Sequence, residues 1–227
     1  LAKTKSIIVC PGRCGSTLLI RSLKKYYPIT EEVCSDVKRG NPEDDFIMDS
    51  EWAKYFNNDA SKLECPEFLD FTFEHVDVVK LQYFQFINNP VLIEYMKKKN
   101  IIHLYRKNRL NRLVSERTAR RNKRWHDHSD LKPVIISAFD IKNIIRGDIR
   151  LWEQVQETFD ITTTITYEGL ISDWERVIEI FQKQHQWKKH AVEKAVSQSI
   201  TKPINEMILN YDLLQGNLDE CEHYLPV

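Results

Sequence analysis

The chain has 227 residues, 42% hydrophobic, 29% charged and 11% aromatic, and its 33 Lys+Arg cancel 33 Asp+Glu to a formal net charge of zero. Such a composition excludes a disordered or collagen-like chain and leaves enough length for one globular domain spanning 1–227 with a full core. Charge balance also excludes a whole-molecule field that would draw the protein to nucleic acid or an anionic membrane, so any electrostatic function must be local.

From the N-terminus, apolar runs rich in Val, Ile and Thr predict strands over 6–10, 77–83, 100–105 and 162–167. The continuous hydrophobicity of Ile7-Ile8-Val9 and Ile101-Ile102 fits strands buried on both faces, which implies a parallel sheet covered by helices. Between strands, Leu19, Leu23 and Tyr26 give 16–27 a helical period. A stripe of Ile141, Ile144, Ile145, Ile149, Trp152, Val155 and Phe159 predicts a helix over 140–159. Ser172 and Glu175 read as a capping box ahead of Trp174, Val177, Ile178 and Phe181. The fold expected is α/β, a central parallel sheet flanked by helices in a P-loop-like arrangement. No apolar run reaches the roughly 20 residues of a membrane-spanning helix, and no signal-peptide core precedes the first strand. The expectation is a cytoplasmic protein without a membrane partner, with an upstream anchor left open because the sequence starts at Leu1.

Five widely spaced cysteines, Cys10, Cys14, Cys34, Cys65 and Cys221, are an odd number and suit a reducing compartment. Cys10 and Cys14 lack a second ligand pair, and His126, Asp127, His128 and Asp130 read as a polar loop, so no metal is expected. Charge is segregated all the same. Residues 29–78 hold 14 acidic and 4 basic side chains, whereas 106–124 hold 9 basic and 1 acidic. The basic segment follows a buried strand, where open α/β sheets collect their ligands.

Two strand-to-helix loops carry the chemistry. In Cys10-Pro11-Gly12-Arg13-Cys14-Gly15-Ser16-Thr17, Gly12 and Gly15 permit close backbone approach. The amides opening the next helix favour an anion, and Arg13, Ser16 and Thr17 add a fixed charge and two hydroxyls. A Walker A loop is excluded, because no Lys precedes Ser16 or Thr17. In Tyr105-Arg106-Lys107-Asn108-Arg109-Leu110-Asn111-Arg112-Leu113-Val114-Ser115, Arg106 and Ser115 stand where both can face one anion.

Together these loops resemble those of the nucleotide-dependent sulfotransferases, which use 3′-phosphoadenosine 5′-phosphosulfate (PAPS). The resemblance implies that Gly12, Arg13, Cys14, Gly15, Ser16 and Thr17 form the 5′-phosphosulfate loop. It makes Arg106, with Lys107 as competitor, and Ser115 the 3′-phosphate pair. Thr166-Tyr167-Glu168-Gly169-Leu170 is similar to the family's Tyr-Glu-x-Leu segment, which sets Tyr167 near the adenine. The stretch from Ser199 through Lys202 to Asp212 looks like the C-terminal region of the bacterial carbohydrate (trehalose-sulfotransferase-like) branch, with Lys202 closing over the nucleotide. The activity this resemblance implies is transfer of a sulfuryl group from PAPS, without a metal, to a hydroxyl of a carbohydrate or small-molecule acceptor.

Such a site needs a base for the acceptor proton. Lys80 matches the family's strand lysine, but Gln82 stands where cytosolic members carry a His. Pro42-Glu43-Asp44-Asp45 resembles the acidic segment of the bacterial branch, which makes Glu43 the first candidate, Asp44 or Asp45 the next, and Glu74 and His75 lower-ranked. Catalytic roles thus fall to Arg13, Glu43 and Lys80. The rival readings are a P-loop kinase or NTPase, which lacks its lysine here, and a non-catalytic module binding nucleotide, or nucleic acid through the basic helix and Trp125.

Overall fold

The computed structural model describes residues 5–30, 66–122, 132–195 and 203–214. Five strands, β1 (Ser6–Cys10), β2 (Ile29–Thr30), β3 (Val78–Gln82), β4 (Asn100–Tyr105) and β5 (Ile161–Thr166), form one sheet in the order β2-β3-β1-β4-β5. Every pairing is parallel. Sequence periodicity finds four of these strands and misses the two-residue edge strand β2. β1 is buried at all five positions, as its unbroken apolar run requires. β5 sits at the other edge and alternates exposed Thr with less exposed residues.

The helices of the described residues are α1 (Ser16–Leu23), α2 (Pro66–His75), α3 (Tyr83–Phe86), α4 (Pro90–Met96), α5 (Arg109–Asn122), α6 (Ala138–Thr158), α7 (Tyr167–Ser172), α8 (Trp174–Gln184) and α9 (Ile204–Met207). One face of the sheet packs Ile8, Cys10 and Ile102 against Leu19 and Leu23 of α1, Leu170 of α7 and Phe181 of α8. The other packs Ile7, Val9, Val79 and Leu81 against Leu69 and Phe73 of α2, Leu92 of α4 and Val155 of α6. A third cluster joins Leu113 of α5, Ile141 and Ile145 of α6 and Met207 of α9. The long apolar stripe therefore divides its burial: the N-terminal half of α6 packs on α5 and its C-terminal half on the sheet. Among the described residues, no helix is long and apolar enough to cross a membrane.

Several boundaries differ from expectation for local reasons. α1 stops at Leu23 and a turn follows, so Tyr26 is not helical. β3 ends at Gln82, because Gln82 and Gln85 form a capping box that opens α3 at Tyr83. β5 ends at Thr166, whose hydroxyl accepts from the Gly169 amide at 3.0 Å and caps α7 at Tyr167. The predicted Ser172–Glu175 capping box is absent: Ser172 ends α7, and Asp173 is the cap of α8 without a side-chain hydrogen bond.

Candidate functional site

The β1–α1 and β4–α5 loops leave the carboxyl ends of adjacent strands. From β1 the chain runs to one side of the sheet and from β4 to the other, so the two loops flank the crevice where open α/β sheets bind ligands.

The first loop is bent by two residues with left-handed backbone, Arg13 at φ 63° and Gly15 at φ 85°. At Gly15 the reason is steric as well as conformational, since a Cβ there would lie 2.5 Å from Cδ2 of Tyr167. Gly15 is also the cap of α1 and supplies no side-chain acceptor, which leaves the first-turn amides to another partner. Ser16 is the first helical residue rather than the cap. Cys10 and Cys14 are buried free thiols, hydrogen-bonded to each other, which raises the Cys10 thiol well above its usual pKa. Among the described residues, no cluster of His, Cys, Asp and Glu could hold a metal ion.

Arg13 Nε donates to Ser115 Oγ at 3.0 Å, across 102 residues of chain. Ser115, on the second turn of α5, therefore engages Arg13 rather than Arg106. Arg106 lies with its guanidinium carbon 4.4 Å from the centroid of the Tyr167 ring, and its buried Nε has no hydrogen-bond partner among the described residues. Lys107 is exposed, which sets it outside this stack. Burial and then the charge of Arg106 lower the pKa of Arg13, and burial likewise lowers that of Arg106. Two desolvated guanidiniums held near each other constitute a site that attracts an anion.

The scaffold behind these groups was not foreseen from the sequence. The Glu168 carboxylate accepts from the amides of Lys107 and Asn108 at 3.0 and 3.1 Å, fixing the loop that carries Arg106. Arg112 donates from Nε and Nη2 to the two oxygens of Asp148 on α6 at 2.6 and 2.5 Å. Its Nη1 reaches the Gly12 carbonyl at 3.2 Å and Glu116 at 3.1 Å. One buried guanidinium thereby ties the β1–α1 loop, α5 and α6 together. Arg112 belongs to the basic run that sequence singled out, but nothing local announces Asp148.

Lys80 is buried at mid-strand on β3, in register with Ile8, and its charge acts on Cys10 and Cys14 beneath the first loop. Gln82 caps α3 with its side chain. Glu74 and His75 end α2 just ahead of β3, at the amino end of a five-residue strand that spans about 16 Å. That places them at the edge of the sheet opposite the two loops and removes them as bases. Glu43, Asp44, Asp45, Lys202 and the His126–His128 loop lie outside the described residues.

A further polar chain emerges on the α6 side. His103 of β4 is wholly buried; its Nδ1 accepts from Gln156 Nε2 at 2.6 Å and its Nε2 is hydrogen-bonded to the Tyr83 hydroxyl. Burial, with a smaller contribution from Arg109, pulls its pKa down to about 4, so the ring is neutral at pH 7. The signal was present in the sequence as the one polar residue inside Ile101-Ile102-His103-Leu104.

No protein-family model matches the chain, and no curated protein matches it. Among solved structures, the crystal structure of mouse sulfotransferase SULT7A1 complexed with PAP is similar over 97% of this chain and 84% of that one, at 12% identity and a TM-score of 0.47. At that score the likeness establishes neither a fold family nor a chemistry for this chain.

Proposed function

We propose that the crevice between the β1–α1 and β4–α5 loops binds PAPS and that the chain transfers its sulfuryl group to an acceptor hydroxyl, the fold being of the P-loop-like sulfotransferase kind. The observation that carries this reading is the Arg13–Ser115 hydrogen bond, which joins the two anion loops into one site. The residues present suit the nucleotide: the orphaned Nε of Arg106 and the uncapped first turn of α1 are both donors in want of an acceptor. Arg13, Gly15, Ser16 and Thr17 would hold the 5′ end, Arg106 with Ser115 the 3′-phosphate, Tyr167 would border the adenine, and Lys202 would close over the nucleotide. When bound, PAPS supplies an activated sulfuryl group.

Each residue then has a task. The Arg13 guanidinium would meet the negative charge that develops on the leaving oxygen, and donors preorganised for that charge lower the barrier. Lys80 adds positive potential from beneath the loop. Ser115 holds Arg13 in one orientation, and Arg112 holds the Gly12 carbonyl so that the loop keeps its shape. The acceptor proton is assigned to Glu43, from its acidic Pro-Glu context.

Calorimetric titration tests the reading. Adenosine 3′,5′-bisphosphate (PAP) is expected to bind 1:1. Adenosine 5′-phosphate and Mg-ATP are expected to bind at least about tenfold more weakly, because a charge-assisted bond contributes about 1.5–3 kcal/mol. Equal affinities for PAP and adenosine 5′-phosphate would refute the 3′-phosphate pair, and preference for Mg-ATP would refute the sulfotransferase reading.

A further inference from the structure

Arg106 and Arg109 stand three residues apart but diverge to opposite sides of the sheet's carboxyl edge. Arg106 turns toward Tyr167 and the phosphate loop. Arg109 opens α5 on the α6 side, where its charge acts on Tyr83, His103 and Tyr105. Its side chain is 8% exposed, and its Nε has no hydrogen-bond partner among the described residues. Asp148, whose charge attracts Arg109, has both oxygens hydrogen-bonded to Arg112. The attraction is not a hydrogen bond, and a buried donor left unmet is costly unless an acceptor reaches it.

A second orphan stands in the same cluster. The indole Nε1 of Trp152 is buried without a partner among the described residues, and its ring lies 6.1 Å from Tyr105 and 6.4 Å from His103. The His103 tautomer adds a third donor: with Gln156 donating to Nδ1, the neutral ring carries its proton on Nε2 and donates to the Tyr83 oxygen. The Tyr83 hydroxyl proton is thus directed away from His103. The two buried orphans here, Arg109 Nε and Trp152 Nε1, are both donors. The rings of Tyr105 and Trp152 remain only partly buried, which leaves the cluster accessible. Tyr83 directly follows Gln82, which is in register with Cys10 at the end of β1, so this cluster borders the first loop.

We infer that Arg109, Trp152 and Tyr83 form an oxyanion subsite beside the nucleotide crevice, and that the acceptor is a hydroxyl compound, sugar-like in its fit to Tyr105 and Trp152, carrying a carboxylate or sulfate group. The inference deepens the proposed function and rests on it for the word acceptor, but not for the subsite itself. Arg109 orients such an acceptor by its oxyanion, the aromatic rings stack on its apolar face, and a neutral sugar lacks the anchor.

The test is calorimetric or ligand-observed NMR titration of the full chain with glucuronate, glucose 6-sulfate and glucose, with and without saturating PAP. One or both charged sugars are expected to bind about 10- to 100-fold more tightly than glucose, and the stronger of them identifies carboxylate or sulfate as the preferred group. Arg109→Gln is expected to abolish that difference while leaving PAP affinity within about twofold. Trp152→Phe, which keeps the ring and removes the N–H, is expected to weaken the charged sugar several-fold. Equal binding of charged and neutral sugars would overturn the subsite, as would unchanged sugar binding in Arg109→Gln. Loss of PAP binding in a folded Arg109→Gln would instead assign Arg109 to the nucleotide and overturn it equally. Failure of the wild-type chain to bind PAP strikes the proposed function alone, because the sugar comparison without nucleotide still reads the subsite.

Discussion

Replacing Arg112 separates what holds the fold from what shapes the site. Its side chain is 6% exposed and that of Asp148 is 13% exposed, and the pair meets through two short bonds. Arg112→Met strands the Asp148 carboxylate in a poorly solvated position, where burial already raises its pKa against the attraction of Arg112. Breaking a buried pair from one side costs about 3–5 kcal/mol. For a chain of this length that corresponds to a melting midpoint lowered by roughly 6–20 °C. Removing both charges is different, since Arg112→Met with Asp148→Leu exchanges the pair for apolar groups and recovers most of the lost stability, although Arg109 then forfeits the attraction of Asp148. Glu116 keeps Arg120 as a partner, so it does not become a second stranded charge. What the double variant does not restore is the donor to the Gly12 carbonyl. PAP affinity is therefore expected to stay about tenfold below wild type after stability has recovered, because the loop is no longer held in its binding shape. Thermal denaturation gives the stability arm and calorimetry the affinity arm. A double variant as unstable as Arg112→Met would refute the coupling, and one with wild-type PAP affinity would refute the positioning role.

Gly15→Ala forces a side chain into left-handed backbone and against Tyr167; a stability loss of about 1–3 kcal/mol is expected, and a compensating gain in the Gly15→Ala/Tyr167→Ala double variant checks that the clash is the cause. Arg13→Ala is expected to leave the melting midpoint almost unchanged while lowering sulfuryl transfer by roughly 100- to 1,000-fold, and an unchanged rate in a folded variant would reduce the loop to a turn. His103 gives a pH signature: its folded pKa of about 4 lies below the usual 6.5, so the unfolded chain binds the extra proton between those values. Stability is accordingly full above the unfolded pKa and falls as pH drops toward the folded one, by about 2 kcal/mol between pH 7.5 and 5. Denaturant titrations at the two pH values, repeated on His103→Gln, measure it; an equal pH dependence in the variant would remove His103 as the source.

The architecture was legible because β1, β3 and β4 are buried runs whose composition admits little else, and α6 because its stripe is long enough to outvote local noise. β2 escaped notice, since two residues carry no periodicity. Boundaries failed where a side chain caps a helix directly after a strand, as Gln82 and Thr166 do, because a strand pattern reads on through the cap. At the site, residues contributed by one loop were readable: Arg13, Gly15 and Arg106 stand in short motifs. Their partners were not. Asp148, Glu168 and Gln156 reach the site from α6 and α7, and only the packing of those helices brings them in. The hydrogen bond of Ser115 to Arg13 was not legible either, since spacing alone does not say which arginine a helical hydroxyl meets.

A protein with no net charge concentrates cations in this crevice, and the way its carboxylates are spent decides what remains. Asp148 is taken up by Arg112. Glu116 is shared between Arg112 and Arg120. Glu168 binds two backbone amides. All three fasten scaffold, and none hydrogen-bonds Arg106 or Arg109. Had Glu168 hydrogen-bonded Arg106 instead, the loop after β4 would have lost its anchor and the guanidinium its open donor. The carboxylates thus stabilise the loops by hydrogen bonds and attract the guanidiniums only through space, Glu168 acting on Arg106 and Asp148 on Arg109, and burial lessens the screening of the charge that remains. Binding of an anion here should therefore depend on salt less steeply than binding at the exposed arginines farther along α5, such as Arg120 and Arg121.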